Sequence, residues 1–109
     1  MKKLLLITTL VLGGVAATFA ADHKVTVSDF QFTPASVNAR VGDTISWTFQ
    51  TGSMAHTTTS VTNPSGAAPW NAPIDQTNTR FRYRITTAGP YRYQCNFHAT
   101  IMKGTIKVR

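Results

Sequence analysis

Short stretches of alternating apolar and polar residues recur along the chain, and this pattern limits the possible fold more than any other feature. A period of two residues is that of a half-buried β-strand. After residue 20 no segment has an apolar stripe with helical spacing, so the pattern predicts an all-β domain. The alternation is clearest at Val25 and Val27, at Ile45, Trp47 and Phe49, at Phe81, Tyr83 and Ile85, at Tyr91 and Tyr93, and at Ile106 and Val108.

Turn-forming residues separate these stretches, at Gly42-Asp43, at residues 63–66 and at Gly89-Pro90. Short strands at this spacing in a chain of this size predict one domain built as a Greek-key β-sandwich of two packed antiparallel sheets. The candidate core residues are Phe30, Phe32, Trp47, Phe49 and Phe81.

The segment from Val61 to Thr79 departs from the alternating pattern. It contains three prolines together with Gly, Ser and Asn, and one isolated aromatic residue, Trp70. This composition predicts a long irregular connection, which is either a functional loop or a surface loop anchored by Trp70.

The first twenty residues have the layout of a signal peptide. Lys2 and Lys3 precede an apolar stretch, and Thr18-Phe19-Ala20 supplies small residues at a cleavage site. An uncleaved membrane anchor is the alternative, but fewer than about eighteen continuous apolar residues are too few to span a bilayer comfortably. We therefore expect a signal peptide at 1–20 and an exported domain at 21–109, located in the bacterial periplasm without stable membrane insertion.

The chain is basic, with a formal net charge of +7. Without Lys2 and Lys3, nine basic residues face four acidic ones, which leaves +5. A basic surface favours an anionic partner. Arg80, Arg82 and Arg84 alternate with apolar residues, however, and a solvated strand face explains them without nucleic acid. An exported protein also meets little nucleic acid, so we expect no nucleic-acid partner.

Cys95 is the single cysteine of the chain. Small exported domains are often held together by disulfides, and a lone thiol cannot form one within the molecule. In an oxidising compartment such a thiol is buried, paired with another chain, or bound to a metal.

Other potential metal ligands lie near Cys95 in the sequence. His98 and Met102 follow it with the spacing Cys-x2-His-x3-Met, and His56 stands upstream. A thiolate, two imidazoles and a thioether suit copper in both its Cu(I) and Cu(II) states. Each residue alone has an ordinary structural explanation as a buried thiol, polar residue or core filler, but their combination favours a metal site. Zinc competes for such donors, although it prefers four firm ligands and rarely takes a thioether.

The motifs around these residues resemble those of the cupredoxins. The similarity runs from Lys24 to Arg109 and is greatest to the small plastocyanin, pseudoazurin and amicyanin group. The matching segments are Phe30-x-Phe32-x-Pro34, Val41-Gly42-Asp43-Thr44-Ile45-Ser46-Trp47, His56-Thr57-Thr58-Thr59-Ser60, Gly89-Pro90-Tyr91-Arg92-Tyr93-Gln94-Cys95 and Met102-Lys103-Gly104-Thr105-Ile106.

The resemblance implies a β-sandwich that holds one type 1 (blue) copper ion, with His56, Cys95, His98 and Met102 as the metal ligands. It also implies that Thr57 helps to tie the two ligand loops together. Two departures stand out: three residues separate His98 from Met102, as in azurins, and Thr57 occupies a position where relatives often carry Asn.

This reading predicts a soluble, monomeric electron carrier rather than an enzyme. Its partners would be larger redox proteins, such as a cytochrome, dehydrogenase or reductase, with an acidic docking surface. A periplasmic copper chaperone or scavenger is the alternative, although such proteins favour open, Met-rich or His-rich sites. A hydrolase built on Cys95 and His98 lacks a convincing third residue to orient the histidine.

Two further expectations concern individual histidines. His98 lies in the loop between Cys95 and Met102, so we expect its ring edge to form the electron port, surrounded by Ala99, Ile101 and Met54. If processing occurs after Ala20, the new terminus Ala21-Asp22-His23 has the sequence of a square-planar N4 chelate for Cu(II), a second and accessory copper site.

Overall fold

The computed structural model describes residues 19–50, Gly52 and residues 54–109. The signal peptide predicted for residues 1–20 therefore lies almost wholly outside the described residues. The strands are β1 (Asp22–Ser28), β2 (Gln31–Thr33), β3 (Ser36–Ala39), β4 (Thr44–Phe49), β5 (His56–Thr62), β6 (Asn71–Ile74), β7 (Arg80–Arg84), β8 (Gly89–Gln94) and β9 (Lys103–Val108).

The strands form two sheets, which confirms the predicted all-β sandwich. One sheet has the order β2-β1-β4-β7 and the other the order β3-β9-β8-β5-β6. The expectation of purely antiparallel sheets is wrong, because β1 pairs with β4 and β3 pairs with β9 in parallel. A strand pattern predicts strands but does not reveal the direction of a partner that is distant in the sequence.

The core lies between the sheets and contains the inward-facing residues of the alternating stretches. Val25, Val27, Ile45 and Trp47 are fully buried in one sheet and are opposed by residues such as Tyr91, Tyr93 and Ile106 in the other. The face of β7 that carries Arg80, Arg82 and Arg84 is exposed, as predicted.

Only part of the predicted aromatic core is buried in this way. Phe32 and Trp47 are buried, and Phe49 and Phe81 pack against the core while partly exposed. Phe30 was expected in the core, but its side chain is exposed. The reason is that Phe30 belongs to the two-residue turn between β1 and β2, so the alternation that would place it inside is interrupted there.

The segment 61–79 is less irregular than its composition predicts. It contains β6, which pairs with β5 despite Pro73, because β6 is an edge strand of its sheet. Trp70 is buried against Trp47 and Tyr83, and its indole N–H donates a hydrogen bond to Thr58 at 3.0 Å. Trp70 therefore anchors this segment to the core.

Asp43 organises the end of the sandwich where β1 begins. Its buried carboxylate accepts hydrogen bonds from the backbone nitrogens of Ala21 and Arg40, both at 3.0 Å, and lies 2.9 Å from Nε2 of His23. These contacts, led by the bond from Ala21, lower the pKa of Asp43 from 3.8 to about 2.

The same contacts bear on the accessory copper chelate. Asp22 and His23 lie in the extended strand β1, and the His23 ring contacts Asp43. A square-planar chelate would require the first residues to leave the sheet and wrap around the ion, so this structure does not favour that site.

In the part of the chain that the structure describes, no helix is long and apolar enough to cross a membrane.

Candidate metal centre

The four candidate ligands lie on segments at one end of the sandwich, opposite Asp43. His56 is the first residue of β5, Cys95 follows the last residue of β8, and Met102 precedes β9. Between Cys95 and Met102 the chain makes a short 3-10 turn, Asn96–His98. The site therefore draws on strands of one sheet and on the loop that joins two of them.

The nitrogen and sulfur atoms of three candidates converge. Donor atoms of His56, Cys95 and His98 all lie within 4.8 Å of one another. Cys95 Sγ lies 3.6 Å from Nδ1 of His98 and 3.9 Å from Nδ1 of His56. A nitrogen and a sulfur bound at about 2.0–2.3 Å to one ion, about 120° apart, are about 3.7 Å from each other. The spacing thus fits one ion held by two imidazoles and a thiolate.

Backbone hydrogen bonds hold the ligand loop in one shape. The N–H of His98 donates to the carbonyl oxygen of Cys95 at 3.2 Å, and the N–H groups of Ile101 and Met102 donate to the carbonyl oxygen of His98 at 3.1 and 2.9 Å. These bonds involve only the main chain, so they restrict the shape of the loop independently of its side chains.

Thr57 joins the two segments that carry the candidate ligands. Its hydroxyl oxygen accepts a hydrogen bond from the backbone N–H of Asn96 at 2.9 Å, and its own N–H points to Cys95 Sγ at 3.5 Å. The structure therefore gives Thr57 the tying role that the resemblance implies, with a hydroxyl in place of an amide.

Burial differs sharply among the candidates. His56, Cys95 and Met102 are fully buried, whereas His98 is half-buried. Exposed apolar side chains lie near the candidate ligands in the fold: Phe30 packs on His98, and Phe97 and Ile101 belong to the same loop as His98. Met54, two residues before His56, is also exposed, whereas Ala99, which was predicted in the patch, is half-buried. Phe30 and Phe97 were not predicted there. Phe97 is 63 % exposed. We call Phe30, Met54, Phe97 and Ile101 the apolar patch.

The carboxylate of Asp29 contacts His56 on the side away from Cys95, and the sequence analysis did not identify it. Asp29 Oδ1 lies 3.2 Å from Nε2 of His56, the ring nitrogen on the far side from Cys95. No local motif marks this contact, because 27 residues separate the two side chains in the sequence. The available signal was the position of Asp29 and Phe30 between two alternating stretches, where a turn is expected.

Comparison with solved structures places this fold among small copper proteins. A reduced amicyanin variant matches with 26% sequence identity and a TM-score of 0.69, over 81% of this chain and 82% of the other. An oxidised amicyanin variant matches with 26% identity and a TM-score of 0.68, over 84% and 90%. A pseudoazurin from Sinorhizobium meliloti shares the fold, with 24% identity and a TM-score of 0.70 over 82% and 74%. No curated protein sequence matches the chain significantly.

A β-sandwich with two imidazoles and a thiolate converging at one end defines a cupredoxin, a type 1 copper protein. The family model described as copper binding proteins, plastocyanin/azurin family, matches residues 19–109. The chain belongs to this family. Copper is therefore its cofactor, and the soft sulfur and borderline nitrogen donors of His56, Cys95 and His98 fit that ion.

Proposed function

We propose that this protein is a periplasmic electron carrier, in which His56, Cys95, His98 and Met102 hold one type 1 copper ion. Bound copper supplies a one-electron couple, in which Cu(II) and one electron give Cu(I). The observation that carries the proposal is the convergence of the His56, Cys95 and His98 donor atoms at the end of the sandwich. Met102 completes the set as a buried thioether at the end of the same loop.

The surroundings of these residues favour electron transfer over substrate chemistry. Cys95 is fully buried, so a substrate cannot reach its sulfur as a hydrolase would require. The hydrogen-bonded ligand loop and the Thr57 contact resist movement, so little reorganisation accompanies a change of metal charge. Amicyanin structures similar to this chain include both reduced and oxidised forms.

The apolar patch supports His98 as the electron port. His98 is half-buried, the Phe30 ring packs on its imidazole, and the exposed residues Phe97 and Ile101 belong to the same loop. A small apolar contact area suits the brief complexes of redox partners. The partner is a larger redox protein, such as a cytochrome, dehydrogenase or reductase, and the basic surface favours one with acidic residues around its docking site.

Copper storage or transfer is the second candidate function, and burial argues against it. A chaperone must pass its ion to ligands of another protein, which requires access to its own donors. Here three of the four candidate ligands are fully buried. Transfer would require the ligand loop to open against its own hydrogen bonds.

Export rests on the sequence of the first twenty residues, and the start of the fold is compatible with it. Strand β1 begins at Asp22, and Phe19 and Ala20 are exposed. Cleavage after Ala20 would therefore leave every strand complete and give a domain of residues 21–109.

Copper titration of the purified domain tests the proposal. We expect one equivalent of Cu(II) to produce an intense visible band from thiolate-to-metal charge transfer, and ascorbate to bleach it reversibly. Cys95→Ser should remove the band. A colourless Cu(II) protein, or colour that survives Cys95→Ser, would rule out the proposed site. A reversible band combined with rapid transfer of Cu(I) to an acceptor thiol peptide would favour the chaperone function instead.

A further inference from the structure

The turn between β1 and β2 contacts both candidate histidine ligands with two consecutive residues. Asp29 lies against His56, and Phe30 lies against His98. We propose that this turn positions both imidazoles for the metal, and that the Asp29 carboxylate also stabilises the oxidised state of the site relative to the reduced state. The inference rests on the proposed copper function and deepens it.

The Asp29 contact determines which nitrogen of His56 carries the proton. Its carboxylate oxygen can only accept a hydrogen bond, so the proton belongs on Nε2. Nδ1 then keeps its lone pair, and this is the nitrogen that faces Cys95 Sγ. His56 is fully buried, so in the folded protein its acceptor is the carboxylate rather than water. The contact therefore presents His56 with the correct nitrogen free.

The loop between β4 and β5 passes beside Asp29 at Gly52 and leaves room for the carboxylate. A Cβ atom at Gly52 would lie 2.8 Å from Asp29 Oδ1, closer than atoms normally approach. Gly52 also has a φ of +122°, which side chains other than glycine rarely adopt. Its carbonyl oxygen accepts a hydrogen bond from the Gln76 side chain at 3.0 Å. Gly52, in the loop between β4 and β5, therefore leaves space for the Asp29 carboxylate, and its hydrogen bond with Gln76 holds Gly52 in place.

Phe30 makes its contact at a conformational cost. Its φ is +67°, the left-handed region that glycine or asparagine usually occupies in a turn. The ring packs edge-to-face on His98, with the ring centroids 4.9 Å apart, while 46 % of the residue stays exposed. An unfavourable backbone conformation that delivers an exposed aromatic ring onto one imidazole points to a role at the site.

The negative charge of Asp29 should shift the reduction potential of the site in one direction. A carboxylate that accepts the Nε2 proton makes the imidazole a stronger donor through Nδ1. The stronger donor and the nearby negative charge favour the more highly charged Cu(II) over Cu(I). Asp29 therefore lowers the reduction potential, with an effect reduced by its 41% side-chain exposure.

Two substitutions separate the charge of Asp29 from its hydrogen bond. Asp29→Asn keeps an acceptor oxygen but removes the charge, and Asp29→Ala removes both. We expect both variants to raise the reduction potential, and Asp29→Ala to lower Cu(II) affinity by about tenfold. In the Cu(I) protein, which is diamagnetic, NMR should show faster solvent exchange of the His56 Nε2 proton in Asp29→Ala alone.

Asp75→Asn is the matched control. Asp75 follows Ile74, the residue that pairs with His56 across β5 and β6, so this variant removes the same charge at the same end of the sandwich. In the structure Asp75 bonds to Thr77 and Asn78 rather than to an imidazole. If Asp29→Asn and Asp29→Ala match Asp75→Asn in potential and in proton exchange, the role of Asp29 is overturned.

Phe30→Ala and Phe97→Ala form the second matched pair, since both remove an exposed ring from the apolar patch. We expect a several-fold loss of copper affinity only for Phe30→Ala, and equal affinities would overturn the role of Phe30. Failure of the copper function itself is distinguishable, because the parent protein would then show no visible band with Cu(II). In that case His56 proton exchange in the metal-free protein would still report whether Asp29 holds the ring.

Discussion

The backbone N–H of Cys95 donates a hydrogen bond to the carbonyl oxygen of Met102 at 3.0 Å. The first and last residues of the ligand loop are therefore fixed to each other through their main chain. Because this bond involves no side chain, the loop should keep its closure when either side chain is replaced.

Met102→Ala is expected to leave the visible copper band in place, because a thioether would be a weak copper ligand and would contribute little to binding. The metal-free protein should become less stable by about 2–5 kcal/mol, since a fully buried side chain is replaced by a smaller one. Urea denaturation of both metal-free proteins measures this difference. Cys95→Ser is the contrasting variant, which should lose the band, and loss of colour in Met102→Ala would contradict the expectation that Met102 is a weak ligand.

Ile101→Lys should slow electron exchange with a protein partner by about tenfold, because it places a charge in the apolar patch next to His98. The copper spectrum should stay unchanged. Val61→Lys is the matched control, since Val61 is also exposed but lies toward the opposite end of β5. Stopped-flow kinetics would measure both variants, and equal rates would place the port elsewhere.

Salt should affect anionic and cationic redox partners in opposite directions. The net positive charge attracts an anionic complex, and raising the ionic strength shortens the range of that attraction. We expect exchange with an anionic metal complex to slow as salt rises, and exchange with a cationic complex of similar size to accelerate. If neither exchange rate depends on ionic strength, the basic surface does not guide the encounter with a redox partner.

Asp43 should make the fold sensitive to acid in a defined range. Its hydrogen bonds lower its pKa from 3.8 to about 2, so the stabilisation is complete above about pH 4 and disappears as the pH falls through about 2. Asp43→Asn should lower the free energy of unfolding at neutral pH and remove this part of the acid dependence. Thermal unfolding of the metal-free proteins between pH 2 and pH 7 would test it, and parallel curves would contradict it.

The position of Ala21 predicts that the processed terminus stabilises the domain. Its nitrogen lies 3.0 Å from Asp43 Oδ1, and cleavage after Ala20 would turn this amide into an ammonium group. A domain that starts at Ala21 should be more stable than one that starts at Ala20, by about 1 kcal/mol. The difference should vanish in Asp43→Asn, which a double-mutant cycle measures. A difference that persists in Asp43→Asn would have another origin.

The features that could be predicted from the sequence are those encoded within a few residues. Alternation marks the strands because side chains on a strand point to opposite faces. The spacing of Cys95, His98 and Met102 fits one loop, and the structure shows that loop closed by its own backbone bonds. His56 could be added because a thiol without a disulfide partner suggests further ligands.

The features that could not be predicted depend on contacts between distant segments. The parallel pairing of β1 with β4 is set by how the sheet assembles rather than by either strand. The alternating pattern predicts Phe30 in the core. Its own left-handed backbone conformation in the turn places its side chain at the surface instead. In the sequence Asp29 looks like an ordinary turn residue, and only the fold reveals its contact with His56.

Ala21 and Arg109 both lie at the end of the sandwich that contains Asp43, which we call the Asp43 pole, away from the metal centre. Val41 donates its N–H to the carbonyl oxygen of Arg109 at 3.2 Å, and Ala21 contacts Asp43 at the same pole. Strand β9 runs from Lys103, next to the ligand loop, to Val108, a distance of about 17 Å at the usual rise per residue. A fusion or surface tether attached after Arg109 would therefore leave His98 facing outward, which suits the protein to immobilisation on an electrode.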